Sequence, residues 1–260
     1  MRGWCEARGI GGTLTLLVVL APPVLLVGVV YFGLYELLGG LLALAFNVIV
    51  LVLCLGPKDL DEQVSAVMGA LDAGDEEAVR DAAIVLLDEE PPVNRLELQH
   101  RLVDTILLQA NERIFSLIFN FVLLGPLGAV LYRLSCHVKG HQQDTSTDYA
   151  ASAVRLHDLL AFIPAHLTAM GYAMAGSFVD AVQAWRMKFE VWKNNWQASV
   201  TDAVVVTGRG ALQYEFSEED TGLDFVALHA QVKSTLGLVW RTLVIWVVLI
   251  AISSLLGWPA

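Results

Sequence analysis

Two short stretches hold the side chains best suited to chemistry. Tyr132 and Arg133 close an apolar run, and His157 and Asp158 stand just ahead of Phe162-Ile163-Pro164-Ala165-His166-Leu167. An arginine where an apolar helix meets water can bind a phosphate or a carboxylate through its planar fork, or it can snorkel toward the headgroups. His166 or Asp180 would be costly within a bilayer and therefore retained for a purpose, whereas in a wet interfacial helix that cost disappears. The residues leave these two readings level. Other chemistries find no support. The chain has no P-loop, Rossmann glycine fingerprint, HExxH or GxSxG motif. The six histidines (His100, His137, His141, His157, His166 and His229) are scattered. His137 and His141 could share a helix face, but they sit in a loop-like stretch without a paired carboxylate, so no metal site is expected. Cys5, Cys54 and Cys136 are odd in number and form no CxxC, which argues against a disulfide framework or zinc.

The elements that must position these groups are membrane helices. Of 260 residues 56% are hydrophobic and only 17% charged, and the mean hydropathy is +0.59, leaving too little polar surface for a water-facing globule. The expected fold is all-α: a polytopic helical integral membrane protein with four or five membrane helices and an acidic extramembrane helical hairpin. Its partner is the lipid bilayer, and a homo-oligomer is left open. The net charge of -11 argues against nucleic acid and against broad adhesion to an anionic membrane surface.

Between Thr13 and Gly56 the only charge is Glu36, over about twice the length that one helix needs to cross a ~30 Å hydrocarbon layer. We read an N-terminal transmembrane hairpin over 12–56, turning at Gly39-Gly40, its first helix kinked at Ala21-Pro22-Pro23. The apolar stretch is too long for a signal peptide. Pro57 ends the hairpin. Residues 57–110 form an acidic extramembrane segment; Lys58 to Asp104 alone carries thirteen acids against four bases. Leu60, Val64, Val67 and Leu71 recur at helical spacing, Gly74 breaks that helix, and Asp75 caps the next, whose stripe continues through Ala78, Ala82, Leu86 and Leu87 until Pro91-Pro92. Its acid runs read as solvated faces and caps.

A third helix starts near Arg95 and runs into a transmembrane helix within 111–138. Asn111, Glu112 and Arg113 mark the water boundary, and Gly125-Pro126 interrupts the span at mid-depth. Residues 139–234 read as a loop (139–148) followed by interfacial or re-entrant helices, with Leu159 to Val182 a buried or interfacial pair. Trp185, Phe189, Trp192 and Trp196, interleaved with Arg186, Lys188 and Lys193, suit headgroup level. A turn is expected at Gly208-Arg209-Gly210. The C-terminal transmembrane helix lies within 235–258, with Trp240 and Trp258 as interface anchors and Arg241 snorkelling. Basic residues are spread too evenly to orient the chain.

The run Gly125-Pro126-Leu127-Gly128-Ala129-Val130-Leu131-Tyr132-Arg133, with Leu156-His157-Asp158 through Leu167, resembles AmpE, the membrane modulator associated with β-lactamase induction. AmpE is itself similar to the CobD/CbiB cobalamin-pathway enzymes, which use ATP to join adenosylcobyric acid to an aminopropanol group, usually its phosphate, through an amide. The acidic hairpin fits both, at Leu60, Leu71-Asp72-Ala73-Gly74-Asp75 and Ala78 to Arg80, and the resemblance spans about 40–215. The departures lean toward AmpE. Where the enzymes carry Gly-Arg-Asp-Thr, this chain reads Leu87-Asp88-Glu89-Glu90-Pro91-Pro92. Of their Glu-Ser-x-Ala-Glu-Asn only Ala110 and Asn111 remain, and their Asn-Thr-x-Asp is Leu134-Ser135-Cys136-His137. The arginine of Pro-x-Arg-Leu is His166. Around Asn194-Asn195 the Pro-Asn-x-Gly motif is missing, although Gly208, Gly210 and Tyr214 fit its continuation. Acids suited to Mg-ATP are thus absent.

The resemblance implies a bacterial inner-membrane, multi-pass accessory protein in β-lactamase induction and cell-wall sensing, non-enzymatic, without cofactor or metal. The alternative is a CobD/CbiB-like ligase using Mg-ATP, or a module binding a corrinoid, nucleotide or muropeptide. The ligand-binding candidates are Asn111, Tyr132, Arg133, His157, Asp158, Pro164 and His166. The resemblance also implies further apolar sequence ahead of the first span, with Met1 a shortened start.

Overall fold

A run of apolar side chains can enter hydrocarbon only if its peptide groups are bonded within the segment, and the α-helix is the local structure that achieves this. A computed structural model describes residues 11–36, 40–56, 60–140, 148–213 and 225–257. Among them, ten α-helices follow one another: α1 (Gly12–Glu36), α2 (Leu41–Leu55), α3 (Leu60–Ala73), α4 (Glu76–Leu87), α5 (Arg95–Ala110), α6 (Ser116–Gly140), α7 (Asp148–Ala175), α8 (Phe178–Asn194), α9 (Trp196–Ala211) and α10 (Phe225–Leu255). A π-helical turn over Asn111–Phe115 separates α5 from α6. Four helical stretches are long and apolar enough to cross a membrane: Gly12–Tyr35, one opening at Leu41, Leu96–Gly140 and Phe225–Leu255. The chain is a multi-pass, all-α membrane protein. The expected positions at Cys5, Gly39, Pro57, His141 and most of the 139–148 loop, Tyr214 and Trp258 lie outside the described residues.

The chain divides into two compact units. The first takes residues up to Pro57 and from Arg113 to Pro164; the second takes Lys58–Glu112 and the residues from Ala165 onward. In the first unit α1 and α2 both pack on α6. Leu16 and Leu20 of α1 meet Tyr149 and Ala153 of α7, with Leu131, Leu134 and Val138 of α6 closing the cluster. Gly12 allows this approach, since a Cβ there would stand 2.3 Å from the Asp148 carbonyl carbon. Helix α1 continues through Pro22 and Pro23.

In the second unit the acidic hairpin is α3 and α4. Leu60, Val64, Val67 and Leu71 are all buried, and moving each such side chain out of water contributes about 1.5–3 kcal/mol. Asp75 caps α4, its carboxylate accepting from the N–H groups of Glu77 and Ala78 at 3.1 Å. The buried stripe of α4 is Val79, Ala83 and Leu86, one residue on from the expected Ala78 and Ala82. The cap fixes where the helix starts, and hence which residues face inward. The helix stops at Leu87, ahead of Pro91-Pro92, because Asp88 turns to φ 57 and donates its N–H back to Ile84 at 2.9 Å.

Three other expectations are corrected. Helix α6 extends to Gly140, so His137 is helical rather than in a loop. The turn at Gly208-Arg209-Gly210 does not form, because α9 runs straight through it. Those glycines serve packing instead: a Cβ on Gly208 would lie 2.6 Å from the Leu107 side chain, and one on Gly210 would lie 2.8 Å from the Asp180 carbonyl oxygen. Between them Arg209 forms a two-pronged ion pair with Asp104 of α5, at 2.6 and 2.5 Å. Finally, the expected aromatic stripe spans α8 and the first residue of α9 and is only partly exposed. Trp192 is buried against Ala169 and Ala203, with Trp185 beside it, while Phe189 and Trp196 remain open.

Two glycine substitutions should therefore move stability in opposite directions. Gly210→Ala presses against backbone and should cost about 1–3 kcal/mol. Gly69→Ala lies in the exposed middle of α3 with nothing within 4 Å, and should gain about 0.5–1 kcal/mol. Thermal unfolding of the detergent-solubilised variants checks both signs.

Candidate functional site

Helix α6 is broken where its sequence requires it. Gly125 adopts φ 64 and ψ -151, which a side chain would resist, and Pro126 has no N–H to donate. The break is held from both sides. A Cβ on Gly128 would stand 2.1 Å from the carbonyl oxygen of Asn120, so only glycine fits there. The buried Asn120 amide donates to Ser116 O at 2.8 Å and to Leu160 O at 3.3 Å, tying α6 to α7. The half of α6 beyond the break carries Tyr132, Arg133, Cys136 and Lys139.

These residues meet the start of α7. The rings of Tyr132 and His157, each 1% exposed, stack at 5.7 Å with 30° between planes. Cys136 Sγ lies 3.6 Å from His157 Nδ1, and the Ser135 hydroxyl donates to Tyr132 O at 2.6 Å. Asp158 is buried, and its Oδ1 lies 4.0 Å from the ammonium of Lys139. Arg133 lies half-buried against the end of α2, where Gly56 (φ +82) leaves room for it; a Cβ there would stand 2.6 Å from Nη2. Lys139 thus accompanies Asp158 near the buried aromatic pair, while Arg133 reaches the end of α2. An arginine fork of this kind suits a phosphate or carboxylate.

Of the seven candidates, Tyr132, Arg133, His157, Asp158 and Pro164 fall in the first unit, and Asn111 and His166 in the second. Tyr132 and His157 are brought together directly, and buried Pro164 lies within α7. Asn111 is buried at the head of the π turn, where its N–H donates to Leu107 and Leu108 O; such turns recur at functional sites. His166 is half-buried beside Trp185, with ring centroids 6.4 Å apart. Asp180 follows the second of its two readings, that of a partly exposed group. It lies in the first turn of α8 and accepts from Ser177 Oγ at 2.5 Å and Gln213 Nε2 at 3.0 Å, bonds that hold its carboxyl below the usual carboxylate range.

Sequence reasoning passed over Cys136, Lys139, Asn120 and Gly56. Tyr132, Cys136 and Lys139 share one helix stripe by spacing. Reading a loop from residue 139 cuts that stripe, and the run of α6 to Gly140 restores it. Asn120 had a visible signal as the one amide in an apolar stretch. Among the described residues no three His, Cys, Asp or Glu side chains gather so as to hold a metal ion.

The family model described as "CobD/Cbib protein" matches residues 2–215. Among curated relatives, Cobalamin biosynthesis protein CobD of Stutzerimonas stutzeri is 28% identical over 223 residues, covering 82% of this chain and 73% of that protein. The CobD of Chromobacterium violaceum is 26% identical over 176 residues, covering 66% of this chain and 55% of that protein. The CobD of Brucella suis is 26% identical over 151 residues, covering 56% and 46%. No solved structure matches. These findings overturn the AmpE assignment and, with it, the non-enzymatic role in β-lactamase induction. The motifs around Gly125–Arg133 and His157–Leu167 build a scaffold common to both groups, so they could not discriminate between them.

The Tyr132–His157 stack should appear as a coupling of about 1 kcal/mol in a double-mutant cycle using Tyr132→Leu, His157→Leu and the pair. Unfolding of the four proteins in one detergent measures it. Strict additivity would mean that the rings are merely adjacent.

Proposed function

Because this chain belongs to the CobD/CbiB family, we propose that it acts in cobalamin biosynthesis at the bacterial cytoplasmic membrane, as an amide ligase for a corrinoid carboxylic acid. The observation that supports this reading is the pairing of Lys139 with Asp158 at 4.0 Å beside the stacked rings of Tyr132 and His157, with Arg133 following Tyr132 on α6. In such a ligation the carboxylate attacks the γ-phosphorus of ATP, ADP leaves, and an acyl phosphate forms. The amine of the aminopropanol group then attacks the acyl carbon; the C–N bond forms, the C–O bond to phosphate breaks, and inorganic phosphate departs. The carboxylate, ATP, the acyl phosphate and the departing phosphate are anionic, and Arg133 is a fork suited to phosphoryl oxygens. Lys139 balances the charge that accumulates. In this reading Asp158 takes the proton released by the attacking amine. Magnesium enters only as part of the nucleotide, since the described donors do not form a cage for it.

A specific observation favours a second reading, in which the chain binds a corrinoid without ligating it. Leu87-Asp88-Glu89-Glu90-Pro91-Pro92 and Leu134-Ser135-Cys136-His137 stand where the ligases carry acid-bearing motifs.

Expression in a strain lacking cobinamide-phosphate synthase, grown on cobyric acid, separates the two. The ligase reading expects growth from the intact chain and its loss with Arg133→Gln. Gly56→Ala should weaken growth at least tenfold by displacing the guanidinium, at unchanged protein level in the membrane. No growth from a well-expressed intact chain would overturn ligation. Co-purification of a coloured corrinoid would then support the second reading.

A further inference from the structure

Away from that site, a groove of about 260 Å³ lies between α7 and α10 in the second unit. Its walls are apolar: Met170 and Met174 on one side, Ile245, Trp246 and Leu249 on the other, with Gly171 facing Thr242 and Trp246 of α10. That closeness depends on glycine, because a Cβ on Gly171 would stand 2.7 Å from Thr242 Cγ2 and 3.4 Å from Trp246 Nε1. Met170, Met174 and Leu249 are each at least half exposed. Their flexible thioethers can mould to a chain of varied shape.

Three features say what fills the groove. First, α10 crosses the membrane, and residues 242–257 carry no Asp, Glu, Lys or Arg, so the groove opens on hydrocarbon rather than water. Second, the charge-free stretch begins directly after Arg241, an exposed cation whose Nε donates to Gly237 O at 3.2 Å. Third, Arg241, Ile245 and Leu249 follow at four-residue spacing and so share one face of α10. From Arg241 to Leu249 the helix rises about 12 Å at ~1.5 Å per residue, within the ~15 Å of one leaflet of a ~30 Å core. A cation at headgroup depth above an apolar channel of one-leaflet length complements an anionic lipid.

We propose that the α7–α10 groove holds one anionic phospholipid of the bilayer, an acyl chain lying against Met170, Met174 and Leu249 and the phosphate meeting Arg241. This site is independent of the ligation reading and would stand if that reading failed.

Native mass spectrometry of the full chain in detergent, titrated with phosphatidylglycerol or with phosphatidylcholine of identical chains, tests it. The intact protein should retain one phosphatidylglycerol at about fivefold lower lipid concentration than phosphatidylcholine, the worth of one cation near an anionic headgroup. Arg241→Gln should erase that preference. Lys233→Gln, an exposed cation earlier on α10, should leave it intact. Met174→Trp should fill the groove and weaken retention of both lipids, and Leu249→Trp serves the same purpose should Met174→Trp not fold. Equal retention of the two lipids by the intact protein would overturn the proposal. So would a preference indifferent to Arg241→Gln, one lost equally with Lys233→Gln, or retention unchanged in the folded tryptophan variant.

Discussion

A peptide group that gives up its hydrogen bond in hydrocarbon finds no water to replace it, and this constraint shapes the chain more than any single contact. It explains why the apolar runs are helical. It also explains why the break at Gly125-Pro126 is so fully supported. Neighbours pack close around it: Gly128 lies against the carbonyl of Asn120, and the Asn120 amide donates to Ser116 O and Leu160 O. The break divides α6 in two, and the part beyond it carries Tyr132, Arg133, Cys136 and Lys139.

The second unit meets a related demand with small residues. Gly208 and Gly210 let α9 approach close to Leu107 and to the backbone of Asp180 and Ala181, and Gly171 does the same between α7 and α10. Close approach brings polar groups into reach of one another. Arg209 meets Asp104 with both prongs, and the buried Tyr172 hydroxyl donates to Leu107 O at 3.1 Å. The same closeness at Gly171 leaves the lipid-facing groove to one side, so one packing device yields both cohesion and a binding surface.

Much of this was legible in the sequence, for identifiable reasons. The spacing of Leu60, Val64, Val67 and Leu71 fixed one buried face because a helix period leaves no alternative. Gly125-Pro126 announced its own break. Tyr132 and His157 were singled out separately, and the structure stacks them. What could not be read was set by tertiary packing. The Gly208-Arg209-Gly210 run has the composition of a turn, yet it is helical because neighbouring helices need its lack of side chains. Lys139 was lost to an early helix end, and Gly56 has no side chain to suggest that it makes room for Arg133. The leaning toward AmpE came from counting missing acids. Missing motifs say which groups a site lacks, but they do not say which relatives built the scaffold, and the relatives that match are CobD proteins.

The central claim is that the end of α6 and the start of α7 form a site for joining a corrinoid carboxylate to an amine. The most direct measurement places the purified chain in lipid nanodiscs with adenosylcobyric acid, aminopropanol phosphate and Mg-ATP, and follows the amide product and ADP by mass spectrometry. Product and ADP should form in equal amounts, and both should be lost with Arg133→Gln. Bound corrinoid with neither product nor ADP from the intact chain would contradict the claim.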